Sequence, residues 1–346
     1  MPEPRQTLDT EADVTAFRRA LLSWYDAEGR SLPWRAHPRS RRGGDPAPDP
    51  YQVWLSEVML QQTTIAHGTP YWRRFTRAFP TVCDLARAPS EEVMGMWAGL
   101  GYYARARNLH ACARTVCEDF GGIFPTDEAT LLKLPGIGPY TAAAVAAICG
   151  GQATNVVDGN VERVVSRLFA VETPLPKARP ELRRLAATLV RGDRPQDYPQ
   201  ALMDLGATVC RPRTPLCDDC PVRSWCRALA DGDPGRYPVR TARKAVPTRY
   251  GTAFVAVRDE RVWLVRRPDR GLLGGTLGFP TTDWHEDRAL PEARLGTVEH
   301  VFSHFRLELA VVESDTTGEG AWHPLEEIAR LPSVMRKVGQ TAGLID

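Results

Sequence analysis

Long apolar runs are missing from this chain of 346 residues. No stretch approaches the ~20 consecutive apolar residues that span a bilayer. The opening MPEPRQTLDTEADV has neither an apolar core nor a small-residue cleavage pattern. The expectation is a soluble, cytoplasmic protein with no membrane partner. Strong charge of either sign is also missing: 44 basic against 42 acidic residues leave a net +2. That balance permits a nucleic-acid partner without demanding one, because a local basic face counts for more than the total. Cysteine is sparse, at eight. A disulfide scaffold is unneeded in a chain long enough for two domains that each bury a core. Internal repeats are absent as well.

Half of those cysteines fall in one short segment, CRPRTPLCDDCPVRSWC, as Cys210, Cys217, Cys220 and Cys226. In a reducing compartment, clustered thiols more often bind metal than bridge. Zinc sites usually offer two close pairs, whereas here a single close pair is flanked by two lone ligands. Thiolates at unequal spacing on a compact loop can reach the irons of a cuboidal cluster, with structural zinc or plain buried thiols as the alternatives. Cys83, Cys112, Cys117 and Cys149 are expected to be buried small side chains.

Apolar residues recur at three- and four-residue spacing from about Val14 onward, so residues 14–228 read as a helical domain behind a flexible 1–13. The biased stretch at 36–49 reads as a mobile loop, and 229–246, rich in Gly, Pro and Arg, as a linker. Residues 247–346 read as a smaller α+β domain. Within it GTAFVAVRD and RVWLVRRP form a hairpin, VFSHFRLELAVVES a further strand and PLEEIARL a helix.

Three stretches could carry chemistry. LPGIGPYTAAAV (134–145) predicts two helices joined by a glycine turn, in which Gly136 and Gly138 let backbone N–H groups approach a phosphate, or simply make a packing corner. Asp158, before GNVERVV, has the form of an N-cap and could equally face a reacting sugar. Glu57, in YQVWLSEVMLQQT, has Val53, Trp54 and Leu60 as helical neighbours. Apolar surroundings raise a carboxyl pKa and suit a general acid, although a buried Glu paired with an Arg is the ordinary explanation.

WLSEVMLQQT, LPGIGPYTA and the cysteine spacing together resemble the MutY-type adenine DNA glycosylases of the endonuclease III, or helix-hairpin-helix, superfamily. The resemblance covers the chain apart from its first dozen residues, the 36–49 loop and the linker. It implies a multidomain architecture: an all-α helix-hairpin-helix glycosylase domain with a 4Fe-4S cluster on the four clustered cysteines, then a smaller Nudix-like α+β domain. The implied activity is hydrolysis of the N-glycosidic bond of adenine opposite 8-oxoguanine or guanine in double-stranded DNA, by a monomer.

Carried onto this sequence, the resemblance makes Glu57 the acid that protonates adenine and Asp158 the stabiliser or nucleophile at the sugar, with Asn160 nearby. Tyr140 stands where strand-cutting relatives have lysine, which implies a monofunctional enzyme. Trp34, Arg35 and Leu60 would line the adenine pocket, Gln62 and Tyr102 would fill the gap left by a flipped base, and Phe302, Ser303 and His304 would read the lesion. Residues 247–346 lack the Glu-dense metal helix of a pyrophosphate hydrolase, so this part should read and not cleave. Leu277-Gly278 departs from the aromatic-acidic pair the family often has there. The rivals are an endonuclease III-like glycosylase-lyase, a non-catalytic iron-sulfur DNA-binding protein and a Nudix hydrolase.

Overall fold

The computed structural model describes residues 6–36, 47–241, 246–268, 271–287, 290–291, 295–316 and 318–346. Most of the expected 36–49 loop and the end of the expected linker lie outside the described residues. The helices, in chain order, are α1 (Glu11–Glu28), α2 (Pro50–Met59), α3 (Ile65–Ala78), α4 (Val82–Arg87), α5 (Ser90–Trp97), α6 (Ala104–Asp119), α7 (Glu128–Leu131), α8 (Pro139–Ile148), α9 (Gly159–Phe169), α10 (Arg179–Ala187), α11 (Tyr198–Thr208), α12 (Arg227–Ala230) and α13 (Ser333–Thr341). Packing divides the chain into two compact units, each discontinuous in sequence. The first takes Met1–Gln62, Thr81–Cys83 and Arg114–Ala242; the second takes Thr63–Pro80, Asp84–Ala113 and Arg243–Asp346.

The first unit is helical. In α9, Val161, Val164, Val165 and Leu168 recur at helical spacing and are buried, so this face docks on Phe17, Leu21, Leu202 and Leu205. Helix α8 is apolar all round: Thr141 to Ile148 are all buried, and most of them are alanines. Small side chains let neighbours come close, and α8 packs on both α2 and α11, while α11 also packs on α9. These contacts bring four distant segments of the sequence together.

Residues 6–13 are not loose, contrary to expectation. Thr10 and Asp13 form a capping box, so α1 starts at Glu11, and the Gln6 N–H donates to the Ser224 carbonyl at 3.1 Å. The first turn is polar, so apolar periodicity starts later than the helix. Part of the expected linker is also built into this unit. Tyr237 is buried, its hydroxyl donates to Glu172 Oε1 at 2.6 Å and its carbonyl accepts from Arg167 Nε at 3.0 Å. Cys83 and Cys117 are joined by a disulfide, against the expectation of separate thiols; the fold brings their Cα atoms within 5.1 Å, inside bridging range. Cys112 is buried and Cys149 half-buried.

The second unit joins α3, α5, part of α6 and α13 to two small sheets. One has β6 (Arg306–Glu313) between β1 (Thr248–Val255), which is parallel to it, and β5 (Gly296–Val301), which is antiparallel. In the other, β3 (Arg261–Arg266) pairs with β2 (Val257–Arg258), β4 (Leu277–Gly278) and β7 (Gly320–Pro324). The expected hairpin is therefore only partly formed. Val257 and Arg258 fold back on β3 around Asp259 and Glu260, both at positive φ, while residues 248–255 pair with β6. Alternation assigns a strand's faces and leaves its partner open. The helix expected in PLEEIARL is a 3-10 turn over Leu325–Arg330, which ends before Pro332. No helix among the described residues is long and apolar enough to cross a membrane.

The contact between α9 and α11 has no room for a side chain at Gly206. A Cβ there would lie 2.7 Å from Asn160 Cβ and 3.1 Å from the Asn160 carbonyl oxygen. Gly206→Ala is expected to cost about 1–3 kcal/mol of stability in denaturant unfolding. An unchanged midpoint would mean that these helices part freely.

Candidate active site

Helix α2 begins with Asp49 accepting from the Tyr51 N–H at 2.9 Å, and Pro50 occupies its first turn. Glu57 sits on this helix among buried Val53, Trp54 and Val58. Its partner is not an arginine. Tyr140, in the first turn of α8, donates its hydroxyl hydrogen to Glu57 Oε2 at 2.7 Å, and the same hydroxyl lies 3.6 Å from Met203 Sδ on α11. Burial pushes the Glu57 carboxyl above the ordinary Glu range; the Tyr140 hydrogen bond and the Arg35 charge pull it back, and the Asp158 charge adds to the rise. Burial, then the negative charges of Glu57 and Asp158, push the Tyr140 phenol well above its usual value.

Asp158 caps α9. Its Oδ1 accepts from the Val161 N–H at 2.7 Å and its Oδ2 from Asn160 Nδ2 at 2.9 Å. The capping carboxylate also acts electrostatically on Glu57 and Tyr140. Burial raises its pKa, and the hydrogen bonds from Val161 and Asn160 oppose that rise. Asn160 is held in turn by Arg163, whose Nη2 donates to Asn160 Oδ1 at 2.9 Å and to the Gly206 carbonyl at 2.6 Å. Arg163 Nε donates to the Cys210 carbonyl at 2.8 Å.

Arg35 does not stand free for a ligand. Its Nη1 donates to Asp204 Oδ1 and Oδ2 at 2.8 and 2.9 Å, and Arg30 Nε reaches Oδ1 at 2.8 Å. The Asp204 side chain is fully buried, and Trp34 is buried beside Arg35 in sequence. Leu60 ends α2, and Gln62 follows at φ 57 with its side chain exposed. Met203, Asp204, Arg30 and Arg163 were not anticipated. Only their spatial partners reveal them.

Cys210, Cys217, Cys220 and Cys226 line a single pocket with Arg167 and Leu216. Arg167 Nη1 donates to Cys210 Sγ at 3.2 Å and to the Arg211 carbonyl at 2.7 Å, tying the loop to α9. Burial and neighbouring sulfurs push Cys220 up to about 12 and Cys226 to about 11. Four thiols, none bonded to another, thus line one pocket, and their residue type is the one that suits a thiophilic group. Among the described residues, no three His, Cys, Asp or Glu side chains are grouped as a single metal ion would need. In the hairpin between α7 and α8, Gly136 adopts φ 73, and Gly136 and Gly138 are both exposed.

The remaining candidates lie in the second unit. Tyr102 is at φ 49 and 46% exposed, and its hydroxyl is hydrogen-bonded to Ser303 Oγ. Residues 302–305 form the tight turn between β5 and β6, closed by the Phe302 N–H on the Phe305 carbonyl at 2.9 Å. Ser303 and His304 are exposed at its tip. Phe302 is packed inward on Trp284, His300 and Phe305.

The raised Asp158 pKa has a consequence for stability. The folded protein holds that proton to higher pH than the unfolded chain, so the stability it contributes is complete below the ordinary Asp range and lost as pH rises through the raised value. Asn caps helices as well as Asp does. Asp158→Asn, which keeps the cap but cannot titrate or accept from Asn160 as well, is expected to show a flatter change of melting temperature between acid and neutral pH than wild type; parallel melting curves at every pH would contradict this.

Two stretches of the sequence match known protein families. Residues 55–189 match the HhH-GPD superfamily of base excision DNA repair proteins, and residues 252–340 match the NUDIX domain. The adenine DNA glycosylase of Rattus norvegicus is 38% identical over 403 residues, spanning 94% of this chain and 78% of the relative. That of Buchnera aphidicola subsp. Schizaphis graminum is 28% identical over 310 residues, 86% of each. Among solved structures, a thermostable thymine-DNA glycosylase superposes with a TM-score of 0.55 at 31% identity, covering 63% of this chain and 97% of that one. An endonuclease III–DNA complex shares the fold, with a TM-score of 0.52 at 22% identity over 64% of this chain and 97% of that one. The chain belongs to the adenine DNA glycosylase family, with a helical HhH-GPD fold followed by a smaller Nudix-like domain.

Proposed function

We propose that this enzyme hydrolyses the N-glycosidic bond of adenine mispaired with 8-oxoguanine or guanine in duplex DNA, with Glu57 as acid and Asp158 as the group that faces the sugar. The observation that carries the reading is that Glu57 accepts a hydrogen bond from Tyr140 while the Asp158 carboxylate of the same unit lies near enough to act electrostatically on both. The two carboxyls interact, so they titrate as a pair, and their surroundings decide which one holds the proton. Asp158 accepts two hydrogen bonds, sits at the positive end of α9 and feels the Arg163 charge, all of which favour its ionised form. Burial raises both carboxyls, but Glu57 receives only the Tyr140 hydrogen bond and a share of Arg35 against it, which makes Glu57 the better holder of the proton.

From that state the chemistry follows. A flipped adenine takes the Glu57 proton on a ring nitrogen, its electron pair in the glycosidic bond leaves with the base, and positive charge grows on the sugar. The Asp158 carboxylate stabilises that oxocarbenium character or attacks it, and water completes hydrolysis. Tyr140 has no amine, so no Schiff base forms and the strand is left uncut. The Arg30–Asp204–Arg35 cluster beside Trp34 fixes one wall where the base would be read.

Gly136 and Gly138 offer backbone N–H groups to a phosphate at the start of α8. Gln62 and Tyr102 both hold left-handed backbone conformations that side chains rarely adopt, and such strain accumulates at sites of function. This supports their part in filling the gap left by the extruded base. Ser303 and His304, exposed on the 302–305 turn, are the candidates for reading the opposite purine. Cys210, Cys217, Cys220 and Cys226 would hold a 4Fe-4S cluster that braces the loop bearing Arg211, Arg213 and Arg223; no step of excision runs through it.

Two measurements test this reading. On duplexes with A opposite 8-oxoguanine, A opposite G, and thymine glycol, wild type should release adenine only, with nicking that requires alkali. Glu57→Gln should lose at least about a hundredfold in single-turnover rate while still binding the duplex. Activity on thymine glycol, or a Gln variant that turns over normally, would reject the assignment. Separately, anaerobically purified protein should be brown, with iron and acid-labile sulfide in equal amounts; stoichiometric zinc without sulfide would replace the cluster with a structural zinc.

A further inference from the structure

The Tyr140 hydroxyl carries one hydrogen and has two acceptors within reach, Glu57 Oε2 at 2.7 Å and Met203 Sδ at 3.6 Å. A thioether is a weak acceptor and cannot compete with an ionised carboxylate. When Glu57 holds its own proton the competition changes. The carboxyl O–H can then donate to the phenol oxygen, and the phenol hydrogen must find another acceptor or go unpaired. Met203 is only 6% exposed, whereas Glu57 and Tyr140 are half-buried, so water competes least on the sulfur side of the phenol. An unpaired hydroxyl hydrogen in such a place is costly. The sulfur is the group positioned to take it.

We propose that Met203 is a positioning residue for the acid: its sulfur accepts the Tyr140 hydrogen in the state in which Glu57 is protonated, completing a chain from Glu57 O–H to Tyr140 oxygen and from Tyr140 O–H to Met203 Sδ. No covalent bond changes in this exchange; two hydrogens rotate between acceptors. The chain stabilises the protonated acid selectively, because in the ionised state the Tyr140 hydrogen turns to Glu57 and the sulfur is idle. The other groups facing Glu57 are Asp158 from the cap of α9 and Arg35 from the turn before α2, whose guanidinium is engaged by Asp204, next to Met203 on α11. Among the described residues, the hydrogen-bond partners of the Tyr140 hydroxyl are Glu57 and Met203.

The proposal rests on the reading of Glu57 as proton donor, and its test separates the two. Single-turnover adenine release is measured against pH for wild type, Met203→Leu, Met203→Gln and Tyr140→Phe, with and without the Leu change. Leu fills nearly the same volume without an acceptor, so the alkaline limb, where the acid loses its proton, is expected to move to lower pH. Gln, which restores an acceptor, should return it toward wild type, and in the Tyr140→Phe background the Leu change should leave the limb in place. A merely structural Met203 would lower rate or melting temperature and leave the limb where it was. An unmoved limb in Met203→Leu, or an equal shift in the Tyr140→Phe background, overturns the role of the sulfur; Met203→Ile takes its place if the Leu variant melts below the assay temperature. Should Glu57→Gln release adenine at the wild-type rate, the acid assignment itself fails, whatever the limb does.

Discussion

One hydrogen bond, from the Tyr140 hydroxyl to Glu57 across the contact of α2 and α8, is the interaction on which the site depends. It lies where burial penalises charge, so it decides how far the carboxyl can rise above its ordinary pKa without becoming inert. Helix α8 can deliver Tyr140 to that position because it is built almost entirely of small residues and packs closely on both α2 and α11. Gly206 plays the same part on α11, where the backbone of Asn160 leaves no room for a Cβ.

Around that bond the charges are arranged so that each buried ion has a partner. Asp204 absorbs both Arg30 and Arg35, which keeps two guanidinium groups beside the site without leaving either to neutralise Glu57 outright. Asp158 is stabilised by a backbone N–H and an amide, and Asn160 is itself oriented by Arg163, which reaches the carbonyl of Cys210. A buried charge that loses its partner costs several times what an exposed one does. The cysteine loop and the Asp158 carboxylate are therefore parts of one hydrogen-bonded framework.

Much of this was legible in the sequence, and what was not shares a cause. Glu57, Tyr140 and Asp158 sit in short strings whose residue types already suggest an acid, a phenol and a cap. Met203, Asp204 and Arg163 matter through partners far away in the chain, which no local pattern reports. The same holds for the Cys83–Cys117 bond, invisible until α4 and α6 are placed, and for the parallel pairing of β1 with β6, which an alternating pattern cannot choose over a hairpin. The start of α1 is a different case: the Thr10–Asp13 box lies in a polar first turn, which apolar periodicity does not register. Phe302, which the resemblance assigned to lesion reading, is packed among neighbouring aromatic rings that its sequence position does not reveal.

Burial raises both carboxyls, and the central claim is that Glu57 holds its proton to higher pH than Asp158 does. Its most direct test is a carboxyl titration of the intact enzyme by 13C NMR, with Glu57 assigned by its loss in Glu57→Gln. The account predicts that the Glu57 resonance titrates above the ordinary Glu range, with the Asp158 resonance moving at lower pH. A Glu57 signal that titrates at or below the ordinary value, or an Asp158 that holds its proton longer than Glu57, would contradict it.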